Sequence, residues 1–440
     1  MAAKCFRSRE LPFCFMLLFA GAMLLGCSNN ASSTGPAGRQ GTPNSSRSTA
    51  GYAAANRPSA AEARQFGAEL QAVIETKDSP GWHSKLDWDR IINEALADLP
   101  LSPPEMQGFA DGFRKGPNSI NAGLESQIMK VVVGGGSYQF LNIRERDGAI
   151  EALFRMLLPD GGVNYHAFRL AKQPDGVRAV DIFIYLSGEH LTATLRRFAA
   201  GAAAQESRNT VQRYLGINDP VVENIQTLSK VTKANREGRH ADAWRAFKTL
   251  PEKLRKERMI STLGLVAAQG CGPEEYQSYL AEVQEYFPND PTFDLVLLDY
   301  LATLERWKEY HAALDRLEKE LCGDPHLNVL HGIGFDAGGK RADAENQFQV
   351  AIKKDPLLYE AYWQSFVGAI DKKEYPLALT RLTELADQFG ITLESVKADP
   401  FYTELLASPE YKTWELERAS SHQEAEATSD LDDVIGSGEE

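Results

Sequence analysis

Between residues 61 and 132 apolar side chains return every three or four positions; past three consecutive glycines they begin to alternate. Phe66, Leu70, Val73 and Ile74 form one stripe at helical spacing, and Ile91, Leu96 and Leu99 mark a second helix. Ser102-Pro103-Pro104-Glu105 opens a third: the serine caps, the proline suits the first helical position, and the glutamate stands where a capping box places it. Leu124, Ile128 and Val132 predict a further helix, which Gly134-Gly135-Gly136 ends. Four β-rich runs follow, at about Tyr138–Arg146, Ala149–Leu157, Val163–Leu170 and Arg178–Leu186. The turns between them, Arg146-Asp147-Gly148, Pro159-Asp160-Gly161-Gly162 and Pro174-Asp175-Gly176, supply glycines for positive φ, so the strands are expected to form an antiparallel meander. Helices followed by such a meander predict an α+β domain over 61–215 with the helices on one face of the sheet.

From 222 the helical period returns and repeats itself. Asp290-Pro291, Asp324-Pro325 and Asp355-Pro356 are spaced by 34 and 31 residues. Small residues at Ala243, Ala313, Ala344 and Ala378 are each followed four positions later by a bulky one, at Phe247, Leu317, Phe348 and Leu382. With Pro291 taken as the residue that closes a repeat, about five units are expected, at 224–257, 260–293, 294–327, 328–358 and 359–392. Leu405, Leu406, Tyr411 and Trp414 then predict a cap for the apolar end of the array, so that the helical domain spans 222–415. Seven acidic residues and no Lys or Arg after Ser420 predict a solvated tail over 420–440.

These units resemble tetratricopeptide repeats, whose helix-turn-helix period is 34 residues, although the signature tryptophan is missing from all of them. The resemblance implies an all-α solenoid in which the first helix of each unit lines a groove for a partner peptide. Carried onto this chain, the groove positions include Leu228, Asn235 and Arg236 in the first unit. The third supplies Leu298, Glu305 and Arg306, and the fifth Trp363, Val367 and Asp371. The element order of the preceding domain is similar to that of nuclear-transport-factor-like and cystatin-like folds. The fold class expected is therefore multidomain, α+β followed by an all-α solenoid.

The N-terminus carries a different signal. Lys4, Arg7 and Arg9 precede an apolar stretch from Leu11 to Leu25, and Leu24-Leu25-Gly26-Cys27 closes it. The stretch is shorter than the roughly 20 residues that span a bilayer. The arrangement resembles a bacterial lipoprotein signal over 1–26, which implies cleavage before Cys27 and acylation of that residue. Ser28 in the sorting position implies the outer membrane, facing the periplasm. Several acyl chains would hold the protein on its membrane, and the Ser-, Asn-, Gly- and Pro-rich stretch 27–60 reads as a tether.

The net charge of −14 becomes −16 once the signal, with three cations and one acid, is removed. An acidic chain argues against general nucleic-acid binding, which needs a basic footprint. Outside the signal and Cys27 only Cys271 and Cys322 remain, and they are expected as two separate buried thiols, a disulfide being the alternative. Val133-Gly134-Gly135-Gly136-Ser137 lacks the lysine of a P-loop, and neither HExxH nor paired CxxC motifs occur, so no cofactor or metal site is expected. His326 and His331 do not share a ligand face. One constellation stands out: Tyr165 and His166 on the third strand and Asp181 on the fourth flank a turn almost symmetrically. That placement would set His166 opposite Asp181 in a small-ligand pocket, with Ser187, Glu189 and His190 completing a polar cluster.

The reading that results is a non-catalytic, membrane-anchored scaffold that binds another cell-envelope protein through its repeats. The alternative is a ligand-binding or weakly enzymatic α+β domain supported by them.

Overall fold

The computed structural model describes residues 56–99, 101–114, 120–159, 161–206, 220–288, 290–392, 396–397, 399–418 and 420. The expected signal 1–26, the lipidated Cys27, most of the tether 27–60 and the tail beyond 420 lie outside the described residues. Two compact units are present: one reaches to Leu304 and takes in Lys319–Cys322, and the other comprises Glu305–Glu318 and the residues from Gly323 on.

The first unit begins with five helices: α1 (Ala60–Glu75), α2 (Ser79–Lys85), α3 (Trp88–Leu96), α4 (Pro103–Arg114) and α5 (Ile120–Val133). A complete capping box starts α1, with the Ser59 hydroxyl accepting from the Glu62 amide while the Glu62 carboxylate accepts from the Ser59 amide. At α4 the predicted box is only half made, because the Ser102 amide and hydroxyl both donate to Glu105. The sheet is an antiparallel meander of β1 (Ser137–Arg146), β2 (Ala149–Leu157), β3 (Val163–Gln173), β4 (Gly176–Ile184) and a two-residue β5 (Glu189–His190), in that spatial order. Asp147 and Gly148 both adopt positive φ, 51° and 75°, as a two-residue type I′ hairpin requires.

One face of this sheet meets the helices. Phe154, Phe168, Ile182 and Ile184 pack there with Phe66, Leu70 and Ile74 of α1, Trp82 of α2 and Ile91 of α3. The Phe168 ring is the hub, 6.5 Å from Phe66, 6.2 Å from Trp82 and 5.2 Å from Phe154. A Cβ on Gly67 would come within 2.4 Å of the Phe140 ring, so the glycine is what lets α1 lie close on β1. Every residue of β2 is buried, which means the opposite face of the strand is covered too.

After α6 (Leu191–Glu206) and the short α7 (Pro220–Glu223), the chain is paired helices. In the first unit these are α8 (Ile225–Arg236) with α9 (His240–Lys248), and, after the single turn α10 (Glu252–Arg255), α11 (Arg258–Gln269) with α12 (Pro273–Tyr286), then α13 (Pro291–Thr303). Next come α14 (Trp307–Glu320), α15 (Pro325–Ala337) with α16 (Arg341–Lys354), and α17 (Tyr359–Asp371) with α18 (Tyr375–Phe389). A 3-10 turn (Pro400–Tyr402), α19 (Thr403–Ala407) and a last helix α20 (409–418) end the described chain.

First helices of the pairs begin at 225, 258, 291, 325 and 359, steps of 33, 33, 34 and 34. Second helices begin at 240, 273, 307, 341 and 375. The α20 start at 409 is one further step of 34, so what sequence reading treats as a cap ends in a helix that keeps the period of the array. The expected unit boundaries at 260, 294 and 328 are corrected by two to three residues. Pro291 and Pro325 open helices rather than close repeats, because Asp290 and Asp324 are their N-caps, accepting from the amides of Thr292 and His326. In the third pair the places equivalent to Ala243 and Phe247 belong to Tyr310 and Leu314, not to Ala313 and Leu317, although all four are buried. Tyr310 fits because its ring lies where Gly334 has no side chain.

Within the second unit an ionic seam joins consecutive helices. Arg381 of α18 donates to Ser365 of α17 at 2.9 Å and to Glu345 of α16 at 3.2 Å, and Ser365 donates to the same Glu345 at 2.7 Å. Arg381 is buried, so its charge needs both partners.

Candidate functional site

The predicted pairing of His166 with Asp181 does not form. In the β3–β4 ladder His166 stands opposite Ile184, and Asp181 stands opposite Arg169. A register shift between Arg169 and Leu170 offsets the strands beyond the symmetric register that the turn suggests. Side chains alternate along a strand, so His166 faces the helices while Tyr165 and Asp181 face the other way. The three residues therefore share no pocket.

His166 is enclosed by its own neighbours. Asn164 accepts from the Tyr165 and Leu186 amides with its carbonyl, which turns its NH2 toward His166 Nε2 at 3.3 Å. Nε2 then accepts, and Nδ1–H donates to the Tyr138 hydroxyl at 2.8 Å. Burial lowers the His166 pKa to about 4, so the ring is neutral at pH 7.

The partner that Asp181 does have is His190, on a strand too short to be read from periodicity. His190 Nδ1 lies 3.3 Å from Asp181 Oδ2, and its Nε2 lies 3.5 Å from Arg169 Nη2. Burial, and next the Arg169 charge, lower the His190 pKa to about 4. Asp181 also accepts from the Thr192 hydroxyl at 2.6 Å and from the Ile182 and Thr192 amides, while burial pushes its carboxyl upward. The contacts of Asp181 with Thr192 tie β4 to the start of α6, with the His190 ring beside them.

Around the pair, the face of the sheet away from α1 carries a buried ionic network. Arg144 donates to Glu151 at 2.9 Å, to the Glu320 carbonyl at 2.8 Å and to the Glu320 carboxylate at 3.1 Å. Arg146 donates to that carboxylate at 3.0 Å, the Tyr185 hydroxyl donates to it at 2.9 Å, and Asn142 donates to the Leu321 carbonyl. Cations at the end of α14 thus complement the carbonyls that the helix leaves open. Nothing in the local sequence around Glu320 signals this; strand alternation at Arg144, Glu151 and Arg169 is the one sign that polar residues share a face.

The predicted groove residues do not share one surface. Leu228, Asn235 and Leu298 are buried, and Asn235 donates to the Leu263 carbonyl at 3.0 Å. Residues 259–268 of α11 and 292–298 of α13 are buried on every side, so their partner-facing positions are covered by the chain itself. Glu305 and Arg306 lie in the turn after α13 instead of on a first helix, Glu305 at φ 52°, and Arg306 pairs with Glu309. Arg236 is exposed at the end of α8. On α17, by contrast, Trp363 and Val367 are half-buried and Asp371 is exposed; the Trp363 ring stacks on Tyr359 at 5.8 Å.

Both cysteines are free thiols and neither is buried: Cys271 is half-buried and Cys322 exposed, which corrects the expectation of two buried thiols. His331 is buried on α15 with Nδ1 2.8 Å from His311 Nδ1. Among the described residues no group of three or more His, Cys, Asp or Glu is arranged to hold a metal ion, and no helix is long and apolar enough to cross a membrane. Comparison with family models, with curated proteins and with solved structures gives no match.

Proposed function

We propose that this chain is a lipid-anchored, non-catalytic scaffold of the bacterial cell envelope, held at the outer membrane through Cys27, that captures another envelope protein with its tetratricopeptide-like repeats. The observation that carries this reading is the contrast among first helices. Those of the second and third pairs are buried all round, whereas α17 keeps Tyr359, Trp363 and Val367 half-open beside Asp371. An aromatic strip with a charged end is the composition of an interface anchor. The partner contact is accordingly assigned to the last pair and not to the whole array.

The test is cross-linking in membranes followed by detergent extraction and mass spectrometry, comparing wild type with Trp363→Ala. Loss of an anchoring tryptophan should weaken capture of the partner by about 30-fold, corresponding to ~2 kcal/mol. Unchanged capture would remove Trp363 from the interface. In parallel, Cys27→Ala should abolish palmitate labelling and release the protein from the membrane fraction; retention on the membrane would overturn the anchor.

A further inference from the structure

An open trough of about 780 Å³ lies between α18 and α20, lined on α18 by Leu379, Thr383 and Glu384 and on α20 by Glu410, Trp414 and Glu417, with prolines at both helix starts. Trp414 Nε1 donates to Thr383 Oγ1 at 2.9 Å, and Arg418 pairs with Asp387. These contacts join residues 31 apart in both cases, so the two helices run parallel, one repeat period apart. The lining repeats along each helix over eight residues, which at 1.5 Å per residue makes a trough roughly 12 Å long, room for about four extended residues.

We propose that this trough docks a short, extended basic segment of a partner protein, apolar side chains resting on Leu379 and Trp414 and lysine or arginine reaching the glutamates. The argument is charge complementarity. Three of the lining residues are glutamates and none is Lys or Arg; Glu384 is already paired with Arg381 and the Arg418 guanidinium over the Trp414 ring with Asp387, so Glu410 and Glu417 are the carboxylates that face a ligand. Arg381, buried beneath, is already committed to Glu345, Ser365 and Glu384. The sequence past residue 420 has seven acids and no Lys or Arg, so it does not supply a basic segment for the trough. The surface is distinct from the Trp363 strip, and the proposal stands whether or not Trp363 contacts a partner.

The probe is a fluorescent octapeptide of alternating arginine and leucine, titrated by anisotropy into the detergent-solubilised full-length protein, with an alternating glutamate and leucine peptide as its counterpart. Binding of the basic peptide alone is expected, weakening as salt rises. The double variant Glu410→Lys with Glu417→Lys should weaken it about tenfold or more. Glu252→Lys with Glu285→Lys changes net charge equally on exposed surface elsewhere and should stay within about twofold. Equal losses in the two variants would reduce the effect to net charge and overturn the site, as would absence of binding. Sedimentation supplies the remaining arm: a wild-type dimer that the Glu410/Glu417 variant dissociates would make a second copy the occupant and overturn the basic-segment proposal.

Discussion

The two faces of the sheet are buried to the same degree and built in opposite ways. Toward the helices lie Phe154, Phe168, Ile182 and Ile184, whose burial is favourable without orientation. On the other face Glu151 is fully buried, Arg155 nearly so, and Asp181 lies at 4 % exposure, a place where each charge needs a partner. At its apolar positions the helix-facing side tolerates residues of the right volume, whereas the ionic face requires particular neighbours in particular registers.

Breaking the ionic face should have the largest effect. Glu151→Leu leaves Arg144 without its carboxylate at 2.9 Å and is expected to cost about 3–5 kcal/mol in denaturant unfolding. Glu151→Leu combined with Arg144→Met should recover much of that loss, and a double variant no better than the single one would show that the pair is not the unit that matters.

Acid sharpens the comparison, because each face holds one histidine. Folding lowers the pKa of His166, and of His190, from the 6.5 of a free imidazole to about 4. The unfolded chain therefore binds more protons between those values, and each residue's contribution to stability is lost as pH falls through that window. For His166 the whole effect is about 3 kcal/mol. His166→Gln should make the dependence of unfolding free energy on pH shallower between 6.5 and 4; an unchanged slope would mean that the imidazole is not neutral in the fold.

The smallest change belongs to the apolar face. Ile182→Val removes one methylene from a fully buried site and should cost about 0.5–1.5 kcal/mol by the same unfolding measurement. It should add independently to Glu151→Leu, since the two side chains point to opposite faces. A clear departure from additivity would mean that the faces are coupled through the backbone.

Much of this architecture was legible because its causes are local. The Phe66–Leu70–Ile74 stripe, the Asp147-Gly148 hairpin and the period near 34 each follow from interactions within a few residues or from repetition of one packing unit. The ambiguity at Pro291 and Pro325 is local too: Asp-Pro reads equally as the end of one helix and the cap of the next, and only the position of the helix decides.

The candidate site was not legible in that way. The sequence groups His190 with Asp181 in one polar cluster but sets His166 opposite Asp181, because the shift at Arg169 and Leu170 changes register by an amount that no turn sequence records, and an odd error sends a side chain to the opposite face. By itself, the sequence determined the order of elements, the helical period and which positions are apolar, all of which follow from short-range geometry and residue type. Tertiary structure alone decided that Asp181 meets His190, that Glu320 caps into Arg144, and that α11 and α13 are covered while α17 stays half-open. Those outcomes depend on contacts between residues far apart in the chain, and burial of a given side chain is a property of what arrives to cover it.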